Sequence, residues 1–380
     1  MPFHLRAAVV APIGAAALMM GAITTASAGT APIPGAVQGA VQGSGGNDVT
    51  RLLDVPFADP GYYVEGRNRY IYATGHDGTG GNAFRVARYD AATGRYADPQ
   101  PSMPERPRWV GRRGSPHNRG EVHMWGPHVW KRSVAGPRDY VMYFSASRRG
   151  RSDCIGMAVA ASPLGPFRAR PRPLRCADRG ATVIDPAYFR TRSGVHYLLF
   201  KRHRYRSNDA AIWGVRVRFD GSRRPGARPF RVIDGRGRQV EAPSVVTRHG
   251  RIYLFASRRA FDTCAYRTVV YVGATLRRPL LPLGPLDLRR RNGRRFCGPG
   301  GAEVRTDGRS YRMVFHAFDQ NPVHAPDPVP RFAWGVPLRW TAKGRPYPAS
   351  VSARARSRFE EIPRATVRRR TKSGSSSFAP

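Results

Sequence analysis

Five times along the chain a short run of residues arrives at a proline, and this recurrence constrains the fold more than any other feature. The starts read Phe57-Ala58-Asp59-Pro60-Gly61, Met124-Trp125-Gly126-Pro127-His128, Val183-Ile184-Asp185-Pro186-Ala187, Val240-Glu241-Ala242-Pro243-Ser244 and Cys297-Gly298-Pro299-Gly300-Gly301. They recur at a period of roughly 60 residues, somewhat longer than common propeller repeats. A β-forming run follows each start, at residues 69–76, 139–147, 195–203, 251–259 and 310–318. These runs are rich in Tyr, Val, Ile, Leu and Phe, residues that suit a pleated, half-buried surface. A third run comes next, at 84–90, 154–162, 211–221, 266–275 and 331–340, closed by turns such as Ala92-Thr93-Gly94 and Lys343-Gly344. Fourth strands are harder to see and are assigned to the linking segments. The expectation is an all-β fold, a five-bladed β-propeller. A long β-sandwich would not need five similar starts. The 41 glycines and 34 prolines supply the turns that many short strands require.

The ends of the chain read differently. His4 and Arg6 precede an apolar run from Ala7 to Ile23, and Ala26-Ser27-Ala28 offers a small-residue cleavage site. Residues 1–28 are therefore expected to be a signal peptide, and the protein to be secreted and extracellular. Residues 29–48 read as a flexible linker, 49–349 as the propeller and catalytic domain, and 350–380 as a basic tail too poor in apolar residues to fold alone. No internal stretch has the roughly 20 apolar residues of a membrane-spanning helix.

Four cysteines fit an exported chain. Cys154 and Cys176 flank one segment and Cys264 and Cys297 another, at similar points of the repeat, so two local disulfides are the natural pairing. Four cysteines allow three connectivities, and the choice rests on position alone. The formal net charge of +39 comes almost wholly from arginine. It implies electrostatic attraction to acidic polymers. The arginines are scattered through every turn, and no helix-turn-helix, zinc-finger or RNA-recognition signature accompanies them, so no specific nucleic-acid partner is expected.

In a propeller the first strand of each blade lines the central channel. Three of the five starts carry an acid one or two positions before the proline: Asp59, Asp185 and Glu241. Far apart in sequence, they would converge at one mouth of the channel. A single Asp-Pro pair is usually a turn. Three acids at matching repeat positions are a different matter, because clustered carboxylates acquire unequal proton affinities and mark functional sites. Glycoside hydrolysis needs that division: one acid to protonate the leaving oxygen and one carboxylate to activate water or attack.

The segments FADPG, VIDPAYF and VEAPS resemble the base, pKa-modulator and acid motifs of glycoside hydrolase family 43. The likeness continues through HMWGPHVW with YVMYFSAS, CIGMAVAASPLGPF, and GPGGAEV with MVFHAF, covering most of residues 50–348. It implies a glycosidase of inverting mechanism. Asp59 would be the general base that deprotonates water, and Glu241 the general acid that protonates the departing sugar oxygen. Asp185 would raise the pKa of Glu241 and hold it in orientation. Such a pair should stand about 6.5–9.5 Å apart, leaving room for the water. By the same resemblance His316 matches a histidine near the channel axis that often helps hold a metal ion, commonly calcium. A structural calcium ion near His316 is thus an expectation, with no other cofactor required.

Three further residues are candidates for substrate binding: Phe57 beside the base, Trp125 as a stacking wall, and His128. Family members commonly carry an aspartate where this chain has His128, which points to altered subsites. The segments CIGMA and GPGGAEV lean towards enzymes that cleave arabinose-containing polysaccharide, either α-L-arabinofuranosidase or endo-arabinanase. A β-xylosidase using the same carboxylates is the close alternative. A fructan-cleaving propeller would be expected to show a W-M-N-D-P-N-type start instead. A non-catalytic, polysaccharide-binding propeller is the reading from another class, and three intact carboxylates argue against it. The expected partner is a plant-type or cell-wall polysaccharide, and the protein is expected to act as a monomer.

Overall fold

A computed structural model describes residues 48–74, 84–111, 124–132, 139–148, 152–177, 180–204, 207, 209–322 and 329–350. The chain separates into two units, residues 1–42 and 43–380, and every described residue belongs to the second. The expected signal peptide, all but the last residue of the expected linker, and all but the first of the expected tail lie outside the described residues.

Among the described residues, twenty-three strands form five sheets. The first strand, β1 (Thr50–Arg51), belongs to the last sheet. Blade I holds β2 (Gly61–Glu65), β3 (Asn68–Ala73), β4 (Arg85–Asp90), β5 (Arg95–Tyr96) and β6 (Gln100–Pro101). Blade II holds β7 (Met124–Lys131), β8 (Tyr140–Ala146), β9 (Cys154–Ala160), β10 (Arg168–Ala169) and β11 (Arg175–Cys176). Blade III is β12 (Ala181–Arg190), β13 (His196–Arg204), β14 (Asp209–Arg216) and β15 (Phe230–Asp234). Blade IV is β16 (Val240–Arg248), β17 (Arg251–Arg258), β18 (Arg267–Gly273) and β19 (Leu281–Pro285). Blade V is β20 (Cys297–Thr306), β21 (Tyr311–Phe318), β22 (Arg331–Trp340) and β23 (Pro346–Pro348), completed by β1.

All pairings are antiparallel; the inner strands of each blade form a meander, while β6, β11 and β1 pair with β4, β9 and β22 out of sequence order. The first strands of the blades touch in a closed ring: β2 against β7, β7 against β12, β12 against β16, β16 against β20, and β20 back to β2. The fold is therefore the five-bladed propeller that the repeat implied. The second and third runs read from sequence coincide with β3, β8, β13, β17, β21 and with β4, β9, β14, β18, β22. The outermost strands were not legible, and blade V is closed by the far N-terminal β1, where Thr50 and Arg51 pair with Gly335 and Trp334 of β22. That closure joins the two ends of the domain.

Five apolar clusters hold the ring, one between each pair of adjacent blades. Between blades I and II, for example, Tyr72, Phe84, Met142 and Phe144 are fully buried. Both faces of each inner sheet are thus apolar, which is why the strands read as continuous hydrophobic runs rather than alternating ones. Two disulfides form, Cys154–Cys176 across β9 and β11, and Cys264–Cys297 between the β17–β18 connection and the start of β20. Among the described residues no helix is long and apolar enough to cross a membrane.

Candidate active site

The proline that marks each repeat sets a common backbone device. The residue immediately before it has a positive φ in all five blades: Asp59 (49°), Gly126 (59°), Asp185 (55°), Ala242 (48°) and Gly298 (61°). Proline disfavours the right-handed helical region for its predecessor. A left-handed residue at this point breaks the ladder, and register shifts follow at the prolines of β7, β12, β16 and β20. Bulges of this kind re-aim side chains next to active sites. Left-handed backbone in a non-glycine residue is strained, and Asp tolerates it better than most.

Near these positions backbone N–H groups leave the ladder, and neighbouring side chains accept them. Asp59 N–H donates to His316 Nδ1 (3.0 Å), Gly126 N–H to Thr74 Oγ1 (3.3 Å), Asp185 N–H to Ser145 Oγ (2.8 Å), Ala242 N–H to Asp185 Oδ2 (3.0 Å) and Gly301 N–H to Ser257 Oγ (2.9 Å). Several of these bonds cross from one blade to another, so the inner strands are fixed relative to each other where the acids emerge.

Asp59 is enclosed by donors. Arg331 Nη1 lies 2.9 Å from its Oδ1, and the Thr74 hydroxyl donates to Oδ2 at 2.7 Å. Burial pushes the carboxyl up, but Arg331, His316 and the Thr74 hydrogen bond outweigh it and hold Asp59 below the usual carboxylate range. Asp185 has the opposite balance. Burial, then the negative charge of Glu241, raise it to about 7, although Lys201 pulls the other way. Glu241 is buried and receives two donors: Lys201 Nζ at 2.6 Å on Oε2, and the Tyr266 hydroxyl at 2.8 Å on Oε1. Burial keeps the Tyr266 phenol far above its ordinary value, so it remains a donor. The ring of Tyr266 stacks on that of His316, with centroids 5.8 Å apart. A continuous wall of contacts therefore runs from Asp59 through His316 and Tyr266 to Glu241.

A second polar layer is built from the same inner strands. His128 Nε2 accepts from the Tyr188 N–H (3.0 Å), so Nδ1 carries the proton and faces Glu303 Oε2 at 3.1 Å. Arg305 lies 2.7 Å from Glu303 Oε1, and Ser244 donates to the same oxygen at 3.2 Å. Arg305 and His128 hold Glu303 low against the upward push of burial, while burial keeps His128 neutral.

The candidate binding residues fall in different places. His128 is 2% exposed and spends both ring nitrogens in this second layer, so it does not present an edge to a sugar. Phe57 is fully buried among Leu53, Tyr62, Ile71 and Val314, as part of the core. Trp125 is half-buried on β7, beside Gly126, whose Cα would carry a Cβ 3.6 Å from Asp185 Oδ1.

His316 does not fit a metal ion. Its Nδ1 accepts from Asp59 N–H, and its remaining nitrogen, Nε2, lies 3.4 Å from the permanently charged Arg331 Nη1. Burial and Arg331 together lower the ring to about 3, and among the described residues no group of three or more His, Cys, Asp or Glu side chains is arranged to hold a metal.

Four residues at the carboxylates escaped sequence reading: Thr74, Lys201, Tyr266 and Arg331. Lys201 had a signal. It is one of only four lysines in a chain with 64 basic residues, and it follows the apolar run LLF. Tyr266 and Arg331 each open a third run, a position with no common residue type from blade to blade, and Thr74 stands just past the end of β3.

The sequence profile of "Glycosyl hydrolases family 43" matches residues 50–346. Solved structures share the fold at low identity. A thermostable family-43 glycoside hydrolase aligns with a TM-score of 0.61 and 20% identity, over 78% of this chain and 95% of that one. An exo-1,5-alpha-L-arabinanase from a bovine ruminal metagenomic library gives 0.54 and 19%, over 77% and 96%. The GH43_1 enzyme from Xanthomonas citri complexed with xylotriose gives 0.58 and 23%, over 80% and 96%. No curated protein matches the chain in sequence.

Proposed function

The chain is a member of glycosyl hydrolase family 43, an inverting glycosidase, and from that premise we propose that it cleaves arabinose-containing polysaccharide or oligosaccharide with Asp59 as base, Glu241 as acid and Asp185 as the residue that governs the proton between them. The observation that carries this reading is the unequal treatment of the carboxylates. Asp59 is held low by Arg331 and Thr74, whereas Asp185 is pushed to about 7 beside Glu241.

The steps follow from those states. Asp59, ionised, takes a proton from a water molecule as its oxygen attacks the anomeric carbon. The glycosidic C–O bond breaks on the opposite face, and Glu241 delivers a proton to the leaving oxygen. The sugar is released with inverted configuration and the cleaved chain as an alcohol. Burial and the negative charge of Glu241 keep a proton on Asp185 up to about pH 7, so Asp185 stands beside Glu241 as a neutral, proton-bearing neighbour. Tyr266 and Lys201 fix the Glu241 carboxyl in place. Trp125 supplies a stacking wall for the sugar.

The segments CIGMA and GPGGAEV support arabinan over xylan. Arabinanases and xylose-polymer enzymes both occur among the structures of similar fold, and a β-xylosidase would use the same three acids. The two disulfides support an extracellular site of action, and the apolar segment before Ala26-Ser27-Ala28 supports export. The net charge of +39 supports attraction to acidic wall polymers. Hydrolysis of 4-nitrophenyl α-L-arabinofuranoside, 4-nitrophenyl β-D-xyloside and linear arabinan, with products separated by chromatography, tests the substrate. Preferential release of arabinose supports the reading, and release of xylose alone replaces it with the β-xylosidase.

A further inference from the structure

The resemblance leads one to expect a cation beside His316, and Arg331 places a fixed positive charge against that ring. Its Nη1 is 2.9 Å from Asp59 Oδ1 and 3.4 Å from His316 Nε2, so one guanidinium nitrogen lies against both the carboxylate and the imidazole. The side chain is largely buried, at 18% exposure, and His316 is wholly buried. On its outer side the guanidinium carbon lies 5.6 Å from the centre of the Phe261 ring. That ring comes from the β17–β18 connection, which the Cys264–Cys297 disulfide pins to β20. The guanidinium is thus held from several sides: Asp59 and His316 within, Phe261 without, and its own strand β22 behind.

We propose that Arg331 permanently replaces the divalent cation of the channel, so that this enzyme neither binds nor needs calcium at its catalytic carboxylates. The charge logic is direct. Asp59 needs a positive neighbour to remain ionised in a buried setting, and either a metal ion or a guanidinium can supply it. A second cation placed against His316 Nε2 would meet the guanidinium at contact distance, where repulsion between like charges is strong in a water-poor site. His316 also lacks a free orientation, because Nδ1 is spent on the Asp59 N–H. Arginine cannot release its charge, so the site loses the option of regulation by metal supply and gains independence from it. The inference rests on the reading of Asp59 as the base only for its catalytic meaning. Metal binding is measured without reference to activity, so the two can fail separately.

The test is thermal unfolding of the full chain in EDTA and in excess calcium, with bound metal counted by elemental analysis after dialysis. A ligand of the native state raises Tm, so the wild type is expected to shift by less than about 1 °C and to retain no calcium. The Arg331→Met variant, with the guanidinium gone and the Asp59 and His316 groups left facing each other, is expected to gain a calcium-dependent rise in Tm. A wild type that keeps one calcium per chain and melts lower in EDTA would overturn the proposal. So would a folded Arg331→Met protein indifferent to calcium. If that variant fails to fold, the wild-type measurement still decides.

Discussion

The Asp185 carboxylate accepts the backbone N–H of Ala242 at 3.0 Å, directly beside the peptide that carries Glu241. Two blades are tied by this bond. The bulge of β16 frees the N–H, and the bulge of β12 turns the aspartate towards it. Asp185 thereby senses the charge of Glu241 and also fixes its backbone.

Asp185→Asn separates those two duties. The amide oxygen can still accept from Ala242, and Asn tolerates the φ of 55° at this position. The proton-holding function is lost. kcat is expected to fall by about 10²-fold or more, within the range of general acid–base effects, with little change in KM or Tm. Steady-state kinetics and a melting curve check this. An unchanged kcat would remove Asp185 from the mechanism.

The pH profile should be asymmetric about neutrality. Asp59 must be ionised, and its lowered pKa places the acidic limb of kcat/KM below the ordinary carboxylate value of 3.8. Asp185 must hold its proton, so activity is expected to fall as pH rises through about 7. For stability the sign is the reverse of a salt-bridged acid. A carboxyl raised from 3.8 to about 7 favours the folded state while protonated, and that contribution fades as pH climbs between those values. A pH–rate series on an aryl glycoside, with melting curves alongside, reads both.

Gly300 has no room for a side chain. A Cβ there would lie 2.1 Å from the Tyr266 ring, the group whose hydroxyl donates to Glu241. Gly300→Ala is expected to displace Tyr266, cost about 1–3 kcal/mol of stability, and lower kcat through a misplaced Glu241. Circular dichroism should remain that of a folded β protein. Wild-type kcat in the folded variant would mean that the Tyr266 contact is dispensable.

Sequence made the architecture legible because the repeat is printed at the bulges. Proline after a left-handed residue recurs where each inner strand must break its ladder, and the apolar second and third strands fill the inter-blade clusters. The three acids were visible for the same reason. What stayed hidden depends on three-dimensional convergence. Tyr266 and Arg331 each open a third run, but the residue there differs in every blade (Phe84, Cys154, Ala211, Tyr266, Arg331), so the repeat does not single them out. His128 and Phe57 lie next to the right motifs, but adjacency in sequence does not say which layer of the channel a side chain enters. The two-residue strand β1 carries no pattern long enough to read.

The two disulfides should separate by function. Each closes a loop of modest length, 22 and 33 residues apart, worth about 3 kcal/mol in the chain-entropy view. Replacing either pair by serine is expected to lower Tm by several degrees. Loss of Cys264–Cys297 should also reduce kcat, because that bridge pins the segment bearing Tyr266, while loss of Cys154–Cys176 should not. Tm and kcat of the two double variants give the comparison.

The most direct test of the account is the leaving-group dependence of Glu241→Gln and Asp59→Asn. An acid that protonates the departing oxygen matters most when that oxygen is a poor leaving group. Glu241→Gln is expected to lose about 10²–10⁴-fold on arabino-oligosaccharide, yet far less on a 2,4-dinitrophenyl arabinofuranoside. Asp59→Asn, which removes the base, should lose activity on both substrates alike. Equal losses for Glu241→Gln on the two substrates, or a wild-type rate on the oligosaccharide, would contradict the assignment of Glu241 as the acid.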